Sequence, residues 1–312
     1  MSKVRIAITG ATSFTGFWIG DTLRKNNNYE IFGLTGSSDA GSDGLKKYRS
    51  TRAKESFRLF EGIRSETGEM ARWILEFRPD LWIHHHHFMS NFRSPEYDLV
   101  ESNKVGIEPL PEIIESLKKV QCRGIIYSGS VFEPAEGKDW GSLEPTPYAK
   151  SKAQVWSLLV KLAENESIPI SKVVIANPIG PFENEDRLVP VMIRLAKNKL
   201  PLQLRTPRDE SDNLPVFDLA NVYVQACTDL LSARSKIYRP SGWVCSNLEF
   251  IEKVNEELIE KRLGLNKCHI DILSQLPKTK GTAKNNSDEK ISIDFKIFWD
   301  RYSEEIRQFN SI

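Results

Sequence analysis

Cysteine is scarce: four residues in 312, at Cys122, Cys227, Cys245 and Cys268. They are too dispersed for a zinc knuckle or a redox pair, and a chain of this length needs no disulfide staples, so free thiols are expected. Neither charge is in excess. With 43 Lys and Arg against 42 Asp and Glu, the net charge of +1 gives no reason to expect a nucleic-acid partner. Long apolar runs are also missing. Nothing approaches the roughly 20 residues needed to cross a bilayer, and the chain enters a strand-like run at Val4 without a secretory apolar region. The expectation is a cytoplasmic protein with no membrane contact. No internal repeat is seen, and the composition is that of an ordinary soluble protein.

What is present begins at the N-terminus. Val4-Arg5-Ile6-Ala7-Ile8 breaks into Thr9-Gly10-Ala11-Thr12-Ser13-Phe14-Thr15-Gly16 and continues as Phe17-Trp18-Ile19-Gly20. The order reads strand, small-residue turn, helix. Such a turn lets the backbone approach a pyrophosphate, whose charge is stabilised by the free N–H groups and positive dipole end of the following helix. Ser13 stands where a G-x-x-G-x-x-G turn has its middle glycine. It is small enough to be tolerated.

Strand-like runs at 4–8, 30–34, 57–60, 80–83, 124–127 and 172–176 alternate with helix-like segments at 17–25, 66–77, 105–119 and 148–164. This alternation predicts an α/β fold of Rossmann type, a doubly wound parallel sheet with helices on both faces. Beyond Asn177 prolines punctuate shorter elements, with helices predicted at 188–197, 219–231 and 248–263. A dinucleotide-binding domain is therefore expected over 1–176, rejoined by 211–235, whose segment Ser211–Ala220 is expected to return to the main sheet. An interleaved C-terminal substrate lobe is expected over 177–210 and 236–312. The hydrophilic stretch Lys278–Lys290 reads as a mobile loop.

Tyr148 and Lys152, in Pro147-Tyr148-Ala149-Lys150-Ser151-Lys152, are four apart and share one helix face. A neighbouring ammonium favours phenolate, bringing a tyrosine from about 10 toward a useful range for acid/base work. Twenty residues earlier, Tyr127-Ser128-Gly129-Ser130 leaves a buried strand. Ligands of doubly wound folds bind beyond the carboxyl ends of strands, so Ser128 or Ser130 faces the same crevice as the pyrophosphate turn. The run His84-His85-His86-His87 comes directly after Leu81-Trp82-Ile83. Adjacent strand side chains face opposite ways, so four consecutive histidines do not converge on one ion, and no metal is expected.

Together these features resemble the extended short-chain dehydrogenase/reductases, specifically the nucleotide-sugar epimerases and dehydratases. Asn103-Lys104-Val105-Gly106 is similar to that family's asparagine before a dimer-forming helix, and Asn177-Pro178-Ile179-Gly180-Pro181 to its substrate-contacting loop. The stretch 213–220 is similar to the segment after the family's Arg-Asp pair. The resemblance implies that Tyr148 is the acid/base, that Lys152 holds the nicotinamide ribose, and that Ser128 orients the sugar C4 oxygen. It implies cofactor contacts from Gly10, Thr12, Ser13, Phe14, Thr15, Gly16, Thr35, Ser37, His84 and Asn103, and substrate contacts from Ser130 and Asn177. It also implies a homodimer, through the helices beginning near Asn103 and Tyr148. The stripe Ile107, Leu110, Ile113, Ile114 and Leu117 could equally be buried within one monomer.

Departures refine the reading. Sugar 4,6-dehydratases carry an acid and a base directly after the catalytic hydroxyl; here those places hold Gly129 and Ser130, neither of which can protonate a leaving hydroxyl at neutral pH. A 4-epimerase or a 4-keto-sugar reductase is favoured, acting on a nucleotide sugar. No carboxylate closes the second strand before Asp39; Thr35, Ser37 and Ser38, with Lys46, Lys47 or Arg49 for charge, lean the cofactor from NAD toward NADP. Gly62-Ile63 replaces the acidic residue that normally meets adenine. Ser211 stands where arginine would precede Asp212, so Arg205 or Arg208 is expected to clamp the diphosphate. The histidines occupy the place of a His-x-Ala-Ala-like turn beside the cofactor. The competing reading, from Ser13, Ile63 and those histidines, is a non-catalytic dinucleotide-binding sensor or scaffold.

Overall fold

The computed structural model describes residues 2–37, 44–137, 145–273, 284–285 and 289–310. Its first half runs β1 (Val4–Thr9), α1 (Phe14–Leu23), β2 (Tyr29–Thr35), α2 (Gly44–Ser56), β3 (Arg58–Glu61), α3 (Glu69–Phe77), β4 (Leu81–His84), α4 (Leu99–Gly106), α5 (Leu110–Lys119), β5 (Gly124–Ser130), α6 (Pro147–Asn165) and β6 (Ile170–Ile175). Next come β7 (Asn177–Ile179), α7 (Leu188–Asn198), β8 (Leu202–Leu204), β9 (Glu210–Pro215), α8 (Val216–Leu231), β10 (Ile237–Tyr238), β11 (Trp243–Ser246) and α9 (Asn247–Val254). A π-helical turn (Asn255–Glu260), β12 (Ile270–Ile272) and α10 (Phe295–Asn310) close the chain.

The main sheet has seven strands in the order β10-β6-β5-β4-β1-β2-β3, all paired in parallel. This is the doubly wound α/β fold that the alternation predicts. Strand order reverses between β1 and β4, which sets a ligand crevice beyond their carboxyl ends. Two small sheets, β11-β9-β7 and β12-β8, carry the rest. Among the described residues no helix is long and apolar enough to cross a membrane.

α1 is apolar almost all round because it is covered on every side: Phe17, Trp18, Ile19 and Leu23 are fully buried. Trp18 stacks on Phe182 with ring centroids 5.6 Å apart, meets Phe217 edge-on at 4.8 Å, and donates its indole N–H to the Pro181 carbonyl. These contacts tie the first helix to the loop after β7 and to α8. The ring of Phe57 fills a slot between α1 and β2. A Cβ on Gly20 would lie 2.6 Å from it, and one on Gly33 2.5 Å, so both glycines are there for the ring.

Several expectations change. The single helix predicted over 105–119 is two, α4 and α5, because Pro109 and Pro111 interrupt the hydrogen-bond ladder. The stripe Leu110, Ile113, Ile114 and Leu117 lies in the monomer's own core with residues of α3 and β5. Segment 211–215 does not return to the main sheet; it sits in β9, between β7 and β11. The elements that do return are α8, packed beside α1, and β10, paired with β6. The segment 248–263 bends into the π-helical turn after Val254. α2 and α10 lie outside the predicted elements; α2 is polar with few buried positions, and α10 docks on it through Arg52–Glu305 and Tyr48–Phe309. Most of 278–290 lies outside the described residues. Asn285, which is described, is buried, donating to the carbonyls of Val174 and Pro240.

The Phe57 slot yields a direct test: Gly33→Ala should lower the unfolding free energy by about 1–3 kcal/mol through overpacking, measured by urea titration. Adding Phe57→Leu should recover part of the loss.

Candidate active site

Thr9, fully buried at the end of β1, organises the crevice. Its hydroxyl donates to the Ile83 carbonyl and accepts the backbone N–H groups of His85 and His86 at 2.8 and 3.0 Å. Gly10 comes next, with φ +66°, a left-handed conformation suited to glycine. Ser13 caps α1 by accepting the Gly16 N–H. A Cβ on Gly16 would stand 2.2 Å from the Gly10 carbonyl oxygen, so the last glycine of the turn has no substitute. Thr12 and Thr35 share a hydroxyl contact of 3.2 Å, and Thr35 reaches Ser37 at 3.1 Å.

Because β4 ends at His84, the next residues leave strand geometry and the four imidazoles enter four surroundings. His84 accepts from the Trp82 indole and lies against Tyr127. His85 spans the gap between Thr15, 2.9 Å from Nε2, and Ser128, 2.7 Å from Nδ1. His86 lines a cavity of about 320 Å³ with Gly10, Ser37, Ile63, Arg64, Ser65, Glu66 and Val105. His87 packs edge-on against Tyr148 and lies 3.4 Å from the hydroxyls of Tyr97 and Ser151. Burial is the largest cause holding all four in the neutral form: His85 falls to about 3, His86 to about 4, and His84 and His87 lie well below the ordinary value. Among the described residues no group of three or more His, Cys, Asp or Glu is arranged to hold a metal.

Ser128 and Lys152 come together, with Tyr148 on the same helix as Lys152. Lys152 Nζ donates to the Ser128 carbonyl at 2.5 Å and lies 4.9 Å from the Tyr127 ring centroid. Tyr148, one turn earlier on α6, is enclosed by the rings of His87, Phe92 and Tyr97. Desolvation dominates both groups: it lowers the Lys152 ammonium to about 8 and raises the Tyr148 phenol well above its ordinary value. The lowered tyrosine expected from the neighbouring ammonium is not realised, because burial outweighs it and Lys152 is directed at Ser128. Ser128 Oγ also meets Tyr223 Oη at 2.6 Å. Among the described residues Ser128 is the hydrogen-bond partner of this buried, protonated phenol; with Tyr223 as donor, the Ser128 hydrogen is turned toward His85.

Behind Ser128 lies a buried charge cluster. Lys172 pairs with Glu133 at 2.6 Å and Glu136 at 3.1 Å, and Arg239 with Glu136 at 2.6 Å. Glu133 also accepts the Ser130 N–H, while Ser130 Oγ accepts from Phe132. A Cβ on Gly129 would stand 2.4 Å from Lys172 Cε.

Other expected residues are placed differently. His84 is 1% exposed and is not in the cavity; His86 is. Asn103 sits on α4 with its side-chain oxygen buried and without a hydrogen-bond partner among the described residues. Phe14 packs under the Arg187 guanidinium, 5.9 Å from its ring centroid. Asn177 donates to Asn213 and accepts from Arg187, which also binds Glu183. Arg205 and Arg208 are both exposed, in the segment between β8 and β9. Arg49 is spent on the carbonyls of Thr12 and Phe182, so it is not free for a 2′-phosphate. Lys46 and Lys47 are exposed on α2; Ser38 and Asp39 lie outside the described residues. His85, His86, Tyr223 and Arg187 are not singled out by sequence. The first two have a signal in the run itself, the others none.

The NAD dependent epimerase/dehydratase family profile matches residues 6–238. The chain belongs to this family of enzymes. No curated protein matches. Among solved structures, a UDP-glucuronic acid 4-epimerase from Bacillus cereus, in complex with UDP-glucuronic acid and NAD, superposes with a TM-score of 0.76 at 18% identity, covering 98% of this chain and 99% of that one. A UDP-glucose 4-epimerase from Stenotrophomonas maltophila, with bound NAD and formylated UDP-arabinopyranose, gives 0.76 at 18% identity over 99% of both chains. The UDP-glucose 4-epimerase of Thermus thermophilus, in complex with NAD, gives 0.73 at 18%, over 97% and 99%. At that identity the likeness establishes the fold. These relatives hold NAD, and the lean toward NADP finds no support in them.

The cavity beside Gly10 falls within the ~300–1,000 Å³ range of small-molecule sites. A larger hollow, about 390 Å³, is lined by residues of α2, α7 and α10 together with Phe182 and Glu183, the ion-pair partner of Arg187.

The neutral imidazoles make stability depend on pH. Each binds a proton near 6.5 when unfolded and only well below that when folded, so stability falls as pH drops from about 6.5 toward 4. The loss is about 1.4 kcal/mol per pH unit for each group. The melting temperature should therefore drop steeply between pH 7 and 5, and His86→Ala should make the drop shallower; an unchanged slope in that variant would show that His86 is not held neutral.

Proposed function

We propose that this chain is an NAD-dependent enzyme acting at C4 of a nucleotide sugar, as a 4-epimerase or a 4-keto-sugar reductase. One observation carries the reading: Lys152, one turn after the buried Tyr148 on α6, bonds the Ser128 backbone, and His85 links the Ser128 hydroxyl to Thr15 of the glycine turn. Bound NAD would supply a hydride acceptor or donor. Gly10, Ser13, Phe14, Thr15 and Gly16 would hold its diphosphate at the start of α1, with Ser37, Ile63, Ser65 and His86 around its adenosine. Thr35 and Thr12 would support that wall from behind.

Tyr148 holds the proton that moves to or from the C4 oxygen. Its raised pKa leaves it protonated at rest, the form needed to protonate a 4-keto oxygen as it is reduced. Epimerisation starts from the phenolate, so bound cofactor and substrate would have to lower the Tyr148 pKa before it can take the C4 hydroxyl proton. Ser128 would orient the C4 oxygen once its hydrogen turns from His85 to the sugar. His85 must therefore give up the Ser128 bond during the cycle. Asn177 and Arg187, joined at 2.9 Å, are the polar groups best suited to the sugar diphosphate.

Elimination of water is disfavoured by packing as well as by composition. A carboxylate at position 129 would collide with Lys172, and Glu133 is held in its ion pair. Neither can serve as an acid beside Ser128.

Turnover is tested by incubating purified protein with NAD and a panel of UDP-, dTDP-, GDP- and CDP-hexoses and their 4-keto derivatives, with products identified by NMR. Tyr148→Phe should lose at least ~100-fold in kcat while its NAD affinity changes little. Turnover persisting in that variant would overturn the assigned role. Retained NAD binding with no turnover of any sugar by the wild type would favour the sensor reading.

A further inference from the structure

Three short contacts follow one another through Ser128. Tyr223 Oη lies 2.6 Å from Ser128 Oγ, Oγ lies 2.7 Å from His85 Nδ1, and His85 Nε2 lies 2.9 Å from Thr15 Oγ1. Ser128 is 1% exposed and Tyr223 is fully buried. Neither hydroxyl has another hydrogen-bond partner among the described residues. The members come from four elements: α8 carries Tyr223, β5 carries Ser128, His85 directly follows β4, and Thr15 lies in the first turn of α1.

The hydrogens can be counted. Phenol, serine and a neutral imidazole supply one each, and burial keeps the His85 ring neutral. If His85 Nδ1 donated to Ser128 and Ser128 to Tyr223, the phenol hydrogen would be buried without an acceptor. If Tyr223 and His85 both donated to Ser128, the serine hydrogen would be. One arrangement strands none: Tyr223 donates to Ser128, Ser128 to His85 Nδ1, and His85 Nε2–H to Thr15.

A sugar oxygen changes the count. Once Ser128 turns its hydrogen to that acceptor, an oxygen and a nitrogen lone pair face each other 2.7 Å apart with no hydrogen between them. Moving the ring hydrogen from Nε2 to Nδ1 restores a bond, now donated by His85, and Thr15 turns its hydroxyl to Nε2. The number of protons is unchanged. Ser128 Oγ then accepts two hydrogen bonds while donating one, which strengthens the one it donates.

We propose that Tyr223 and His85 are positioning residues for Ser128: Tyr223 holds Oγ as a constant donor, and His85 exchanges tautomer as Ser128 passes its hydrogen to the C4 oxygen. The inference rests on the reading above in which Ser128 meets that oxygen.

The ring is read by long-range proton–nitrogen NMR of histidine-labelled protein, with His85 assigned by its loss in His85→Asn. The free protein should carry the hydrogen on Nε2. The sugar of the panel that the wild type turns over, added with NAD to Tyr148→Phe protein, should move it to Nδ1. Tyr223→Phe keeps the ring and should lower kcat roughly three- to tenfold with KM little changed. In a Ser128→Ala background the same change should have no further effect, whereas a merely structural tyrosine would lower activity in both. His85→Leu should lose a similar factor, and His85→Asn, whose amide can accept or donate, should recover part of it. Hydrogen on Nδ1 in the free protein, no exchange in the complex, or equal losses from Tyr223→Phe with and without the serine hydroxyl would overturn the assignment. So would an unchanged kcat in Tyr223→Phe or His85→Leu. Failure of the wild type to turn over any sugar of the panel would overturn the sugar reading and this proposal with it, an outcome distinct from each of those above.

Discussion

One buried hydroxyl holds the ends of two strands together at the point where strand order reverses. Thr9 Oγ1 joins β1 to β4 by donating to Ile83 and receiving the amides of His85 and His86. Those amides have just left the sheet and would otherwise be buried without acceptors, so the hydroxyl satisfies them and fixes the chain's path. The site depends on that path. The ring of His85 is brought between Thr15 and Ser128, and that of His86 onto the wall beside Gly10.

The fold is legible in the sequence to a large degree because its signals are local. Short apolar runs alternating with helical periodicity need a parallel sheet, and the small-residue turn after the first run marks the strand at the switch point. Tyr148, Lys152 and Ser128 are legible for the same reason: a spacing of four on a helix and a position at a strand end each fix a direction in space. Burial is not legible. Whether an ammonium lowers a tyrosine depends on where it points, and Lys152 points to the Ser128 carbonyl. The histidine run reads as strand, where side chains alternate, but β4 stops at its first member. Arg187 and Tyr223 reach the site only through tertiary packing of α7 and α8, and no pattern within their own segments marks them.

The polar groups around the site fall into two sets with different character. On one side of β5, Ser128, His85, Tyr223 and Thr15 form a neutral chain in which hydrogens can be redirected without moving net charge. On the other, Lys172, Glu133, Glu136 and Arg239 form a buried ionic cluster with little freedom, since removing one member leaves another charge unpaired. A rigid ionic layer beneath an adjustable neutral one keeps the end of β5 in position while its serine changes partners.

The contact between Gly129 and Lys172 also bears on how such a chain can change over generations. A side chain at 129 needs Lys172 to move or shrink, yet a smaller residue at 172 leaves the buried Glu133 without its ion-pair partner, Glu136 keeping Arg239. Neither single step is neutral, and the viable route passes through several simultaneous replacements in β5, β6 and the loop carrying Glu133 and Glu136. The lineage is thus walled off from an acidic residue after its serine by its own packing, however favourable that residue's chemistry once installed.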